Sequence, residues 1–533
     1  MNHALRRAGL CLAALLLTSS ALCAQTLRWA SQGDPQTMDP HSQNESMTNM
    51  VNGQVYEGLV ARDKQLGVAP ALATEWQQVS PLVWRFKLRQ GVKFHDGSPF
   101  TADDVVYSIE RGQHANSQIN NYAKAVGKPV KVDDHTVEFH LEKVNPIFLE
   151  HMAAPLWIMS KSWSEKNKVT RPLSFKDREE TFASFNANGT GPYMLATRQP
   201  AIKTTYKRNP SWWGKHEGNV QEIVYTPIAN DATRTAALIS GEIDFVLDPP
   251  PRDVAKLRNT PGVKVIDGPE NRIVFIGMDQ YRDELLYGSV KNKNPLKDIR
   301  VRRALYQAVD INTIRTKLMN NLSVPTGGLT PSPIGAYKDA AIEARLPFDL
   351  PAAKKLMVEA GYPDGFEVGL DCPNNRYIND EEICVALAGM WAQIGVKVRV
   401  NAMPRVNYFP KLEKHDTSMY MLGWGGAVTD AEPTLTPVLR NNKADGSGIG
   451  FYNYGRHTND KADAIAAQSS TEADPKKREE LVKAALKEFK DSINVIPLHR
   501  QVIPWAARTN VNVVHRADNW LEVQWVTIGK SGG

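Results

Sequence analysis

The sequence predicts an α/β fold of two or three domains, on three observations. Trp84 to Arg111 reads as strand, turn and helix in succession. Glu382 to Val400 reads as helix, glycine and strand. The chain has 533 residues, 42% hydrophobic and 23% charged, a globular composition long enough for more than one core.

In the first unit Trp84, Phe86 and Leu88 alternate with Arg85, Lys87 and Arg89, the period of a half-buried strand. Gly91 and then His95-Asp96-Gly97 break the strand into turns. Thr101 and Asp104 have the spacing of a capping box, and Asp103 and Asp104 place negative charge at a helix N-terminus. Val105, Val106 and Ile109 give that helix an apolar face.

The N-terminus reads as a secretory signal over residues 1–24. Arg6 and Arg7 form its basic region, Leu10 to Leu17 its apolar core, and Ala21, Cys23 and Ala24 a small-residue cleavage zone. The apolar run is short for a bilayer span, and Leu22 before Cys23 does not suit a lipid-attachment site, so the expectation is a freely diffusing exported protein. Cys11 and Cys23 leave with the leader. Cys372 and Cys384, twelve residues apart, then face an oxidising compartment. A disulfide adding ~2–3 kcal/mol is expected, with two buried free thiols as the alternative. The formal net charge is +6, two of it in the leader, and no Lys/Arg block of five occurs, so nucleic acid is not an expected partner.

Along the rest of the chain, Leu27 to Ala30 reads as a first strand and Asn49 to Val60 as a helix. Val137 to Leu141 alternates as a strand, and residues 160–188 read as polar and irregular. Asn188 to Tyr193 is a glycine-rich turn. It is not a phosphate loop, since no Lys-Ser/Thr follows and Pro192 lacks an N–H. Thr235 to Val246 reads as helix, turn and strand, and 272–280 as an apolar strand. Ile299 to Asp310 puts Val301, Leu305, Ala308 and Val309 on one helix face. Gly395 caps the helix of Glu382 to Ile394, after which Val396, Val398 and Val400 alternate. Lys476 to Lys490 reads as a charged amphipathic helix before an apolar Ile493 to Pro497.

The run Val92-Lys93-Phe94-His95-Asp96-Gly97-Ser98-Pro99-Phe100-Thr101-Ala102-Asp103-Asp104-Val105 closely resembles the signature of the family 5 extracellular solute-binding proteins, receptors of bacterial ABC importers. Met38-Asp39-Pro40 before Tyr56-Glu57-Gly58-Leu59, Gly189-Thr190-Gly191-Pro192-Tyr193 and the Ala236 to Val246 stretch are also similar to that family. The resemblance implies two α/β lobes joined by hinge strands, the first lobe built from two subdomains. It places lobe I at 25–285 with an inserted subdomain at about 75–200, lobe II at 286–500, and a return to lobe I at 501–533. It implies a periplasmic protein that closes on a peptide or related anionic small molecule and delivers it to an inner-membrane permease and ATPase. A non-peptide ligand (opine, sugar, haem or metal chelate) or a ligand-presenting sensor is the alternative. A monomer without cofactor is expected.

Two stretches resemble the dipeptide-binding branch at its ligand positions. Pro373-Asn374-Asn375-Arg376 matches the place of an arginine that pairs with a ligand carboxylate, with Tyr377 beside it. A guanidinium suits that task because it forks onto a carboxylate and stays charged. Gly423-Trp424-Gly425-Gly426-Ala427 matches a strand end where the branch carries an amino-anchoring aspartate; here that position is Ala427, and Asp430 follows in a longer turn. The resemblance therefore implies Arg376, Tyr377, Trp424, Gly425, Gly426, Asp430 and Glu45 as candidate ligand contacts. Nothing in the sequence supports catalysis. There is no Gly-x-Ser-x-Gly elbow, and His216-Glu217 lacks the second histidine of a zinc helix.

Overall fold

Two long strands paired over most of their length organise the molecule. A computed structural model describes residues 25–174, 179–330, 339–425, 430–445 and 447–529. The expected leader, with Cys11 and Cys23, lies outside these residues.

The chain begins with β1 (Thr26–Ser31), which buries Leu27, Trp29 and Ala30. Helix α1 (Ser46–Asn52) follows, capped by the Glu45 carboxylate, which accepts the Thr48 N–H at 3.1 Å. The helix expected to reach Val60 stops early because Gln54 and Val55 turn their carbonyls to Tyr193 and Gly191, at 3.0 and 2.8 Å. A separate antiparallel sheet comes next, from β2 (Ala73–Ser80), β3 (Val83–Leu88), β4 (Lys128–Asp133) and β5 (Thr136–His140), in the order β2-β3-β5-β4. Its helix α2 (Ala102–Gly112) carries the capping box, Thr101 N–H to Asp104 at 2.9 Å. Phe86, Phe139, Phe148, Val105 and Ile109 close a core of their own there. The stretch 160–188 is more regular than its polarity suggests, since Ser160 and Thr181 start the short helices Lys161–Lys166 and Phe182–Phe185.

The main sheet continues with β6 (Tyr193–Gln199), β7 (Lys203–Arg208), β8 (Glu222–Pro227), α3 (Asp231–Ser240) and β9 (Phe245–Leu247). β10 (Val263–Met278), α4 (Ile299–Gln307), β11 (Phe366–Pro373), α5 (Asp380–Ala392), β12 (Val396–Met403) and α6 (Arg405–Glu413) follow. β13 (Met419–Trp424), α7 (Pro475–Asp491) and β14 (Val495–Arg508) complete the set. The strand order is β12-β11-β13-β10-β14-β9-β1-β8-β7-β6. β1 runs parallel to β8 and β9, and β11 runs parallel to β12 and β13.

β10 and β14 are the crossing between lobes. Val263 to Pro269 pair with Arg508 to Val502 on the side of β9 and β1. Ile273 to Gly277 pair with Arg500 to Val495 on the side of β13 and β11. The register breaks between Pro269 and Ile273, so Glu270, Asn271 and Arg272 form a bulge outside the β10–β14 ladder, with the Asn271 N–H on the Ala517 carbonyl at 2.9 Å. Strand alternation then distributes the cores. Val274 and Ile276 face Val301, Leu305 and Trp391 on one side of lobe II, and Ile273 and Phe275 face Tyr420, Leu486 and Phe489 on the other. In lobe I, Trp505 and Ala507 face Trp29 and Tyr225, and Ala506 faces Ala30 and Leu238.

The glycine turn at 189–191 is a packing device. A Cβ on Gly189 would stand 2.0 Å from the Val55 carbonyl oxygen, and one on Gly191 2.6 Å from it. Beside it, the Glu57 carboxylate accepts three donors: Thr190 Oγ1 at 2.8 Å, Trp213 Nε1 at 2.9 Å and Trp212 Nε1 at 3.1 Å.

Candidate functional site

A cavity of about 390 Å³ lies between the lobes. Each lobe contributes the carboxyl ends of its parallel strands, where open α/β sheets leave a crevice. From lobe I come Ser31, at the end of β1, and Asp248, just past β9. From lobe II comes the loop of Asn374 to Asn379, just past β11. The hinge bulge supplies Glu270 and Arg272, with Gln501 opposite.

The lobe II loop is held from several directions. The Asp380 carboxylate accepts the N–H groups of Arg376 and Tyr377 at 2.9 and 3.0 Å. Burial nevertheless raises Asp380 to about 6, against the pull of those N–H groups. The Ile378 N–H reaches Gln501 Oε1 at 3.2 Å, tying the loop to the hinge. Asn379 takes the left-handed conformation at φ 54° to turn the chain into α5. A disulfide joins Cys372, in β11, to Cys384, in α5, and both residues are fully buried. The chain between them carries Arg376.

Five arginines line the cavity, Arg234 and Arg252 from lobe I and Arg272, Arg376 and Arg405 from the hinge and lobe II. Arg272 Nε donates to Glu270 Oε1 at 3.0 Å, and the other Glu270 oxygen accepts Gln501 Nε2 at 2.7 Å. Arg405, at the start of α6, meets Glu45 at 3.3 Å, so the two lobes touch here. Among the described residues the Arg376 guanidinium makes no hydrogen bond or ion pair; the Tyr377 ring lies 5.3 Å from it. Burial and then the Arg272 charge lower Arg376 from its ordinary value. Burial raises Glu45, but Arg376 and Arg405 outweigh it and leave the carboxyl below its ordinary range.

Of the residues singled out in the sequence, Arg376, Tyr377 and Glu45 line this cavity, and Trp424, Gly425 and Asp430 do not. Trp424 donates to the Pro433 carbonyl at 2.9 Å and packs on Tyr452 at 4.7 Å between centroids. Gly425 permits close approach to the hinge, since a Cβ there would stand 2.6 Å from Arg272 Cα. Asp430 spends both oxygens on Arg478, at 2.7 and 2.8 Å. Gly426 and Ala427 lie outside the described residues. Sequence reasoning missed Asp248, Glu270, Arg272, Arg405, Gln501 and Asn519, all on the cavity wall. One available signal was position after a parallel strand, which marks Asp248. Among the described residues no His, Cys, Asp or Glu cluster fits a metal ion, and no helix is long and apolar enough to cross a membrane.

The family model described as "Bacterial extracellular solute-binding proteins, family 5 Middle" matches residues 67–446. The chain is 25% identical over 496 residues to the glutathione-binding protein GsiB of Escherichia coli O1:K1 / APEC, covering 91% of each. It is 27% identical over 463 residues to Heme-binding protein A of Haemophilus influenzae, covering 82% of this chain and 80% of that one. Its fold matches that of the dipeptide binding protein from Pseudoalteromonas sp. SM9913 in complex with Met-Leu. The TM-score is 0.80 at 22% identity, covering 95% of this chain and 100% of that one.

Proposed function

The chain belongs to the bacterial extracellular solute-binding proteins of family 5, and we propose from that premise that it is the periplasmic receptor of an ABC importer. It captures a peptide or related anionic small molecule between its lobes and delivers it to a membrane permease and ATPase. It acts as a monomer and makes or breaks no bonds. The observation that carries this reading is the Arg376 guanidinium, facing the inter-lobe cavity without a partner among the described residues. A half-buried guanidinium with no hydrogen-bond acceptor is under-satisfied, and a carboxylate ligand supplies the missing bidentate contact. Glutathione, heme and Met-Leu, the ligands named for the relatives, all carry carboxylates.

We place the ligand contacts at Arg376, Tyr377 and Glu45, with Trp424, Gly425 and Asp430 as framework around them. Lobe I takes residues 25 to about 270 with the four-stranded sheet as its inserted subdomain, and β14 returns the chain to it. A ligand touching both lobes favours the closed form, which is the form presented to the permease. Mass spectrometry of small molecules released from purified, denatured protein tests the reading. A retained carboxylate-bearing compound that rebinds and compacts the protein in X-ray scattering is the expected result. A rebinding compound without an anionic group would overturn it.

A further inference from the structure

Building on the reading of the cleft as the ligand site, we infer that the ligand also carries a positively charged nitrogen, held by Asp248.

Asp248 and Arg376 line the same cavity from opposite lobes. The Asp248 carboxylate accepts only Asn519 Nδ2 among the described residues, at 3.0 and 3.3 Å to its two oxygens. That amide is locked the right way round. Trp505 Nε1 donates to Asn519 Oδ1 at 2.7 Å, which turns the NH2 group toward Asp248. An ionised carboxylate accepts up to about four hydrogen bonds, so most of this one's capacity faces the cavity.

The neighbouring cations are committed elsewhere. Arg272, on β10, is held by Glu270 at 3.0 Å. Arg234, on α3, is spent on Asp231 at 2.7 Å and the Ile228 carbonyl at 2.6 Å. Arg252 goes to the other Asp231 oxygen at 2.7 Å. Glu270 lines the same cavity but is itself paired with Arg272 and Gln501, which leaves Asp248 as the carboxylate short of a cation. Burial, and the Glu270 charge, raise Asp248 to about 6 despite Asn519, Arg234 and Arg272. A carboxylate pushed up in this way is a site short of a cation. The backbone supports the placement. Asp248 sits in the left-handed region at φ 54°, immediately before three consecutive prolines, so its position is set by a rigid turn.

The cleft is thus dipolar. An arginine on lobe II seeks an anion, and an aspartate on lobe I seeks a cation. One molecule bearing both groups bridges the lobes, which is the differential contact that closure requires.

The test uses the full mature chain and two probe sets: di- and tripeptides including glutathione, and the same compounds acetylated on their amines. Binding is read by thermal shift and calorimetry, with ligand-free unfolding confirming that each variant is folded. Free-amine members are expected to stabilise the wild type and their acetylated forms to bind at least tenfold more weakly. Asp248→Asn should erase that discrimination. Affinity of the free-amine probes should fall about tenfold from pH 7 to pH 5 in the wild type, as Asp248 protonates, and not in the variant. If Asp248→Asn does not fold, the wild-type pH profile decides. Equal binding of both sets overturns the inference and leaves the cleft reading standing. Binding of neither set overturns the peptide-class reading and the inference together.

Discussion

Glu45 of lobe I and Arg405 of lobe II stand 3.3 Å apart across the cleft. The pair is partly exposed, at 14% and 25% of the side chains, so its worth is modest, about 0.2–1 kcal/mol. It still counts, because it exists only when the lobes are together. Arg405→Ala is expected to weaken apparent ligand affinity about two- to fivefold at low salt, and less at high salt as screening takes over. Calorimetry at two ionic strengths checks this; identical affinity for wild type and variant at low salt would show that the pair does not favour closure.

Arg376→Ala should cost ~2–5 kcal/mol of affinity for a carboxylate-bearing ligand while leaving the unfolding temperature of the empty protein nearly unchanged. Lysine at this position should recover only part of the loss, since an ammonium cannot fork. The measurement is isothermal titration with the retained ligand or with glutathione.

Replacing Cys372 and Cys384 together by Ser should lower stability by ~2–3 kcal/mol, because a short loop loses its cross-link. The same loop carries Arg376, so affinity should fall with stability. Denaturant unfolding and titration of the double variant would show both losses; a loss of stability alone would mean that Asp380 suffices to hold the loop.

Burial pushes Glu57 up to about 7, opposed by Trp213, Thr190, Trp212 and Arg89. Its folded value lies above its unfolded one of about 4.3. Its contribution to stability is therefore fully present below that lower value and is lost as pH rises through 7. Wild-type protein should lose stability relative to Glu57→Gln between pH 4.5 and 8. Parallel pH profiles for the two proteins would place the titration elsewhere.

Local elements were legible wherever periodicity and caps agreed. The strand at Trp84 to Leu88, the capping box at Thr101 and the helix before Gly395 all stand close to where their residues place them. The hinge was less so. The start of β10 is broken by Lys264, Asp267, Gly268 and Pro269, and Glu270 and Arg272 follow, so no apolar alternation marks a strand that pairs with β14 for most of its length. Of the cavity lining, the resemblance pointed to Arg376, Tyr377 and Glu45. Asp248, Asn519 and Gln501 come together from segments more than 250 residues apart, through sheet pairing that no local pattern records. Asp430 shows the limit of chain position as a guide: it pairs with Arg478, 48 residues away, and lies off the cavity lining.

The two strands that cross between the halves belong wholly to neither. Severing the polypeptide near Asn271 would part Val263 to Pro269 from their partners Val502 to Arg508 and expose rows of unpaired amides on both fragments. The halves are thus not dissectable modules. A circular permutant or split reporter built from this receptor would have to open the chain in a peripheral turn, such as that between Gln199 and Lys203, and leave the crossing ribbon uncut.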